Sequence, residues 1–236
     1  SSEDYIYKHV LNVAILSAII AGQMGFPVGR INLLVKSAIL HDIGALKLQQ
    51  LPDAEDLDDG TKEVVKKNTQ ETLDRYGDLD EEVLRLITQM QELYTRESDA
   101  EIPAGLKESV NANILYVADA YDRMTAMKSF EEPTSEVKAV RELLADEERY
   151  NKKIVNALIH GISILYPGVC VELSNGEKGL VITENEDNIF EPTVLDFRNN
   201  NLYDLSDPSV KQTIEIADVM KTMDNRIKLD KSLLEE

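Results

Sequence analysis

The spacing of apolar residues changes once along the chain, and this change constrains the fold more than any other feature. Up to about residue 165, apolar residues recur at helical spacing. After Tyr166-Pro167-Gly168 they alternate with polar residues, as in Val169-Cys170-Val171-Glu172-Leu173, which is typical of half-buried strands. Asn175-Gly176 supplies a tight hairpin turn. The sequence therefore predicts a mainly α chain, with a helical domain over residues 1–165 and a small antiparallel β extension with an acidic tail over 166–236.

The helical part contains several separate periodic segments. The first, over residues 5–24, is apolar around more than half of its circumference, which is typical of a central helix. The remaining predicted helices cover about 30–41, 61–76, 80–96, 109–127, 135–145 and 151–165, and the predicted strands cover about 169–173, 179–182 and 192–197. We find no apolar run of the length that a bilayer requires, and expect no membrane segment.

Charge and cysteine content limit the possible functions. The chain has 25 Lys plus Arg against 44 Asp plus Glu, which gives a formal net charge of −19. Such a surface repels phosphate backbones and argues against nucleic-acid binding. The single cysteine, Cys170, excludes an internal disulfide and fits a cytoplasmic protein. Because the sequence starts at Ser1 without Met, we expect it to be part of a longer protein or a processed chain.

The few residues suited to metal chemistry occupy informative positions. His9 lies on the predicted central helix, the pair His41-Asp42 ends an apolar helix, and Asp119 interrupts an apolar helix face. A buried carboxylate needs a partner, and a cation is one such partner. Two imidazoles and two carboxylates together make a mixed nitrogen and oxygen site for one divalent metal ion. Such an ion can generate hydroxide near neutral pH and polarise a phosphoryl oxygen.

Other roles for these residues remain open at this point. A lone histidine on an apolar helix is more often a packed core residue than a ligand. Asp119 can instead pair with Arg123, four residues further along its helix. Asp122 shares the helix face of Asp119, where it can orient a metal ligand or lie exposed. For His160 we expect a packing role rather than metal binding.

Five separated segments resemble the HD superfamily of metal-dependent phosphohydrolases, and more narrowly its HD-GYP branch, which hydrolyses cyclic di-GMP. They are residues 7–14, 38–44, 117–122, 166–169 and 171–179. The resemblance implies an HD-type helical bundle in which His9, His41, Asp42 and Asp119 hold a divalent metal such as Fe, Mn or Zn. It also implies a nucleotide or phosphoester ligand, and a cytoplasmic signalling output domain behind a sensor or receiver domain or beside a protein partner.

The sequence departs from this family pattern where further ligands are expected. Ala45 stands where the family carries a phosphate-facing lysine, and Tyr5 where it carries a glutamate. Three family histidines are replaced by Asn68, Met90 and Gln91. Residues 102–107 keep only part of the Gly-Tyr-Pro signature. A thioether is a poor substitute for imidazole at a divalent ion. Each missing donor to the developing charge costs on the order of 10²–10³ in rate.

Two functions therefore compete. The first is a degenerate HD-GYP-like module that keeps a one-metal site, hydrolyses little or no cyclic di-GMP and acts by binding. The second is an active one-metal phosphohydrolase in which His41 and Asp42 are catalytic. The missing lysine and histidines favour the first function, and the complete set of four ligands favours the second. Candidates for contacting an anionic ligand are Lys66, Lys67, Arg96 and Arg123.

Overall fold

The structure, a computed structural model, describes residues 2–48, 58–96, 101–126 and 133–220. The chain divides into two compact units, Ser1–Ser163 and Ile164–Glu236. The described part of the first unit is helical, and that of the second contains a five-stranded sheet. The prediction of a mainly α chain with a small antiparallel β extension is confirmed.

The longer helices of the first unit begin and end close to the predicted positions, whereas the short helix at residues 104–107 was not predicted. They are α1 (Ser2–Gln23), α2 (Val28–Leu40), α3 (Asp59–Arg75), α4 (Glu81–Tyr94), α5 (Ala104–Lys107), α6 (Val110–Thr125), α7 (Glu136–Ala145) and α8 (Lys152–Ile162). A short 3-10 helix, Ile43–Lys47, follows α2. Asp58 and Asp80 cap α3 and α4 by accepting hydrogen bonds from the backbone N–H groups of Thr61 and Glu82.

Helices α1 and α6 form the centre of this unit. Every residue of α6 from Ala112 to Asp122 is buried, and α1 packs against α2, α6 and α8. An added Cβ at Gly161 of α8 would lie 2.1 Å from Cγ2 of Ile19, so α1 and α8 approach too closely for a side chain there. This close packing fixes α1, which carries His9, against the rest of the bundle.

Residues Tyr5–Gln23 of α1 correct one expectation from the sequence. This stretch is long and apolar enough to cross a membrane by length and composition alone, so the expectation that no segment reaches that length was wrong. In the bundle, however, α1 packs against three other helices and buries the polar side chains of His9 and Ser17. These contacts are those of a core helix in a helical domain.

The second unit is built on an antiparallel sheet. Its strands are β1 (Cys170–Leu173), β2 (Lys178–Thr183), β3 (Thr193–Asp196), β4 (Leu202–Asp204) and β5 (Ile216–Val219), in the order β4-β3-β2-β1-β5. The hairpin between β1 and β2 turns at Gly176, whose positive φ of 82° suits glycine. The sequence did not predict β4, β5 or the short helix α9 (Pro208–Lys211), because the sequence shows only weak periodicity there.

Candidate metal centre

Four side chains predicted as metal ligands meet inside the helical unit. His9 comes from α1, His41 and Asp42 follow the last residue of α2, and Asp119 lies on α6. One ligand atom from each residue lies within 4.8 Å of the others, and all four residues are buried. We call these four residues the ligand cluster.

The backbone at His41 and Asp42 is held in place by the two helices that follow it. The N–H of Gly44 donates to Oγ1 of Thr69 on α3 at 3.0 Å, and Nε2 of Gln91 on α4 donates to the carbonyl of His41 at 2.9 Å. An added Cβ at Gly44 would lie 2.3 Å from the backbone nitrogen of Thr69. Only glycine permits this approach, and the approach fixes the direction of the His41 and Asp42 side chains.

The two imidazoles are oriented as metal ligands require. Nδ1 of His41 donates to the carbonyl of Ala38 at 2.5 Å, and Nδ1 of His9 donates to Oδ2 of Asp122 at 2.7 Å. Since Nδ1 of each ring donates to these acceptors, Nε2 is the nitrogen that a metal ion can bind once it carries no proton. Both Nε2 atoms face Oδ1 of Asp119, at 2.9 Å from His9 and 3.2 Å from His41. Asp122 therefore acts as the orienting partner of His9.

The spacing of the ligand atoms fits one divalent ion. Oδ2 of Asp42 lies 3.7 Å from Nε2 of His9 and 3.7 Å from Nε2 of His41. Ligands that bind one ion at about 2.1 Å stand roughly 3.0–3.4 Å apart, which is close to these separations. Two imidazoles and two carboxylates suit Fe, Mn or Zn. The cluster can therefore hold a divalent metal with small adjustments.

Arg123 is a cationic residue that contacts two members of the ligand cluster. Its Nε donates to Oδ2 of Asp119 at 2.9 Å, and one of its terminal nitrogens donates to Oδ2 of Asp42 at 2.8 Å. Its guanidinium carbon lies 4.7 Å from the ring centroid of Tyr94. Asp119 thus combines both roles considered from the sequence, since it faces the imidazoles with one oxygen and pairs with Arg123 through the other.

These contacts shift the pKa values of the cluster. Burial opposes the charged form of His9, but its hydrogen bonds to Asp119 and Asp122 outweigh burial and raise its pKa to about 8. Burial also opposes ionisation of Asp119, yet Arg123 and the two histidines hold the pKa of this carboxyl well below its ordinary value. The raised pKa of His9 places positive charge beside the ionised Asp119, and a bound metal ion would replace the proton on Nε2 of His9.

The positions where the family carries further ligands are occupied by packing residues. Met90 is fully buried, and the side-chain amide of Gln91 donates a hydrogen bond to the carbonyl of His41. Nδ2 of Asn68 lies 3.4 Å from the carbonyl of Gly44. Ala45 lies in a small apolar cluster with Ile6 and Val65, and Tyr5 stacks on His9 with ring centroids 5.9 Å apart.

A pocket of about 440 Å³ adjoins the ligand cluster, and both Asp119 of the cluster and Arg123 line it. Three tyrosines and two further cationic residues stand among those that line it: Tyr94, Tyr116, Tyr150, Lys62 and Arg149. Tyr116 and Tyr150 stack at 5.3 Å between ring centroids. The pocket therefore combines aromatic surface with positive charge next to the metal ligands.

Sequence reasoning found only part of this pocket. Of the predicted basic residues, Arg123 lines it, Arg96 lines a neighbouring pocket, and Lys67 is exposed. Lys66 lies 3.7 Å from Glu63 and 3.5 Å from Oγ1 of Thr95. Lys62 and Arg149 were missed because they belong to no motif, whereas Tyr116 could have been found from its place one helical turn before Asp119.

His160 takes no part in the cluster. It lies on the exposed face of α8, where its Nδ1 donates to the carbonyl of Asn156 at 2.7 Å. The expected packing role is wrong, because the side chain of His160 is exposed.

The fold and the site define a helical domain with a buried His and Asp cluster, and comparison with known proteins identifies its family. The sequence profile of the HD domain matches residues 6–124, half of the chain, and the chain belongs to the HD domain family. It is 22% identical over 199 residues to a cyclic di-GMP phosphodiesterase of Pseudomonas aeruginosa, covering 82% of this chain and 48% of that protein.

A second relative belongs to another bacterium. The chain is 24% identical over 225 residues to the cyclic di-GMP phosphodiesterase PdeB of Borreliella burgdorferi, covering 90% of this chain and 58% of that protein. The chain therefore spans about half the length of the curated relatives it matches. Both matches agree with the resemblance to the HD-GYP branch seen in the sequence.

Proposed function

We propose that the chain is a cytoplasmic HD-family signalling output domain that holds one divalent metal, binds a nucleotide-type phosphoester and hydrolyses little or no cyclic di-GMP. His9, His41, Asp42 and Asp119 are its metal ligands. The observation that carries this proposal is the contrast between the complete ligand cluster and the packing residues beside it. A sensor or receiver domain, or a separate protein partner, would complete the signalling unit.

The ligand cluster supports metal binding. The Nδ1 atoms of both histidines are already engaged by acceptors, so their Nε2 atoms are left to the metal. When bound, such a metal polarises a phosphoryl oxygen and lowers the pKa of a bound water. Within this chain, Asp122 holds His9 in position, and Gly44 holds the turn that carries Asp42.

The neighbouring residues support low activity. An in-line phosphoryl displacement between two metal ions needs ligands for both, and Met90 and Gln91 are engaged in packing and in a backbone hydrogen bond. Ala45 supplies no charge for a phosphoryl oxygen. Each lost donor lowers the rate on the order of 10²–10³-fold. Several such losses together leave little hydrolysis of cyclic di-GMP.

The pocket supports a nucleotide-type ligand. Tyrosine rings offer stacking surfaces for a base, and the cations Lys62, Arg123 and Arg149 attract phosphate despite the acidic protein as a whole. The names of both relatives specify cyclic di-GMP as their substrate. We propose cyclic di-GMP or a related phosphoester as the ligand of this pocket.

A second candidate function is an active one-metal phosphohydrolase, in which His41 and Asp42 act at the metal. It is favoured by one observation, namely that all four ligands and the orienting Asp122 are present with suitable geometry. The two candidates differ in turnover rather than in the residues that bind the metal.

A parallel assay separates the two candidates. Binding of cyclic di-GMP is measured by calorimetry, and its hydrolysis with Mn²⁺ by chromatography, beside the Pseudomonas aeruginosa relative. We expect binding with turnover at least about 10³-fold below that of the relative. An Arg149→Ala variant should weaken binding, whereas Arg85→Ala, a change at an exposed residue, should not. Turnover comparable to that of the relative would reject the binding module and favour the active enzyme.

A further inference from the structure

We propose that Arg123 is a built-in competitor of the divalent metal: its guanidinium occupies the carboxylates of Asp42 and Asp119, and a metal ion must displace it from Asp42 to bind. The inference rests on the proposed one-metal site and adds a control on its loading. It concerns a residue that has no part in the set of ligands predicted from the sequence.

The argument starts from the oxygen atoms that Arg123 uses. Oδ2 of Asp42 accepts a hydrogen bond from Arg123 at 2.8 Å, and the same atom lies 3.7 Å from the Nε2 atom of each histidine. This oxygen is therefore the one that faces the metal position. A metal ion and the guanidinium would compete for its lone pairs.

Asp119 differs from Asp42 in this respect. Its Oδ1 faces the histidines, and its Oδ2 accepts from Nε of Arg123 at 2.9 Å. Asp119 can therefore bind a metal and Arg123 at the same time through different oxygens. Arg123 would stay anchored at Asp119 while it releases Asp42.

The positive charge of Arg123 disfavours metal binding. Arg123 is largely buried, with a side chain 15% exposed, and it balances part of the charge of two buried carboxylates. A divalent ion a few ångströms away repels this fixed cation, and the repulsion is strong where water is scarce. The wild-type site should accordingly bind metal more weakly than the same ligands without Arg123.

The surroundings leave a place for the displaced guanidinium. Arg123 borders the pocket of about 440 Å³ and lies over the ring of Tyr94, which attracts a cation. A guanidinium that leaves Asp42 can turn toward this pocket and remain solvated. Loading of the metal would thus move positive charge into the pocket.

The test is Mn²⁺ binding by calorimetry to metal-stripped protein. The variants are Arg123→Gln, which removes the charge, Arg123→Lys, which keeps it, and Arg85→Gln, an exposed control. We expect Arg123→Gln to bind Mn²⁺ at least about tenfold more tightly than the wild type. The Arg123→Lys and Arg85→Gln variants should stay within about threefold of the wild type.

The outcomes separate this inference from the proposed function. Equal or weaker binding by Arg123→Gln overturns the inference and leaves the one-metal function standing. Binding by Arg123→Gln but not by the wild type supports the inference and rejects the one-metal function. Absence of binding in all four proteins rejects both.

A second measurement covers the case in which Arg123→Gln does not fold. Zn²⁺ is added to wild-type protein while the N–H resonance of the terminal Arg123 nitrogen that donates to Asp42 is followed by NMR. Release of Asp42 by the guanidinium should shift this resonance in step with metal binding. A resonance that stays unchanged while Zn²⁺ binds would overturn the inference.

Discussion

The turn at His41 and Asp42 meets two different environments. Toward α1 and α6, its side chains face the ionised groups of His9, Asp119 and Arg123. Toward α3 and α4, its backbone is held by neutral hydrogen bonds to Thr69 and from Gln91, and Met90, the residue before Gln91, is fully buried. The first environment can bind a cation, and the second can only support the turn. The difference is the basis of the proposal that this HD-type bundle keeps one part of a metal site and fills the adjoining part with packing.

Asp119→Ala should disrupt the first environment most strongly. It leaves the largely buried guanidinium of Arg123 with Asp42 as its only carboxylate among the described contacts. We expect the free energy of unfolding to fall by about 3–5 kcal/mol, because an incompletely paired buried charge is costly. Urea denaturation measures this loss. Asp74→Ala, at an exposed position on α3, is the control, and an equal effect of both changes would contradict the role assigned to Asp119.

Gly44→Ala should disrupt the second environment. The added Cβ would lie 2.3 Å from backbone atoms of α3, so the turn must move. We expect a loss of about 3 kcal/mol from overpacking, together with weaker metal binding, as measured by denaturation and calorimetry. Gly22→Ala, where no atom lies within 4 Å of an added Cβ, should be neutral or slightly stabilising. Metal affinity that survives Gly44→Ala would separate the turn from the site.

Asp122→Ala should weaken metal binding without removing it. The change takes away the acceptor that fixes Nδ1 of His9, and losses of such orienting partners cost about 10–100-fold in metal affinity. Calorimetry with Mn²⁺ measures the change, and Asn12→Ala, which removes only the amide that donates to Asp122, should have a smaller effect. If Asp122→Ala binds metal as the wild type does, His9 does not depend on this contact.

Met90→Leu should have the smallest effect. The side chains have similar volumes, so the free energy of unfolding should change by less than about 1.5 kcal/mol. Metal stoichiometry and affinity should stay at the wild-type values, since the thioether of Met90 packs rather than binds metal. A drop in metal content in this variant would show that the two environments are not distinct.

The sequence predicted most of the bundle for physical reasons, whereas the set of four ligands rested also on the resemblance to the HD superfamily. Long periodic segments identify helices such as α1 and α6, and a charged residue such as Asp119 on an apolar helix face signals a buried partner. The bridging role of Arg123 was only half visible, because its spacing to Asp119 is local whereas its contact with Asp42 spans the bundle. The pocket residues Lys62 and Arg149 depend on tertiary packing, which no local pattern encodes.

The central claim is that His9, His41, Asp42 and Asp119 hold one divalent metal ion. Elemental analysis of the purified protein beside an Asp42→Ala variant tests it most directly. We expect about one equivalent of Fe, Mn or Zn in the wild type and a large loss in the variant, with both proteins folded by circular dichroism. Absence of metal from both folded proteins, or equal metal content in both, would contradict the claim.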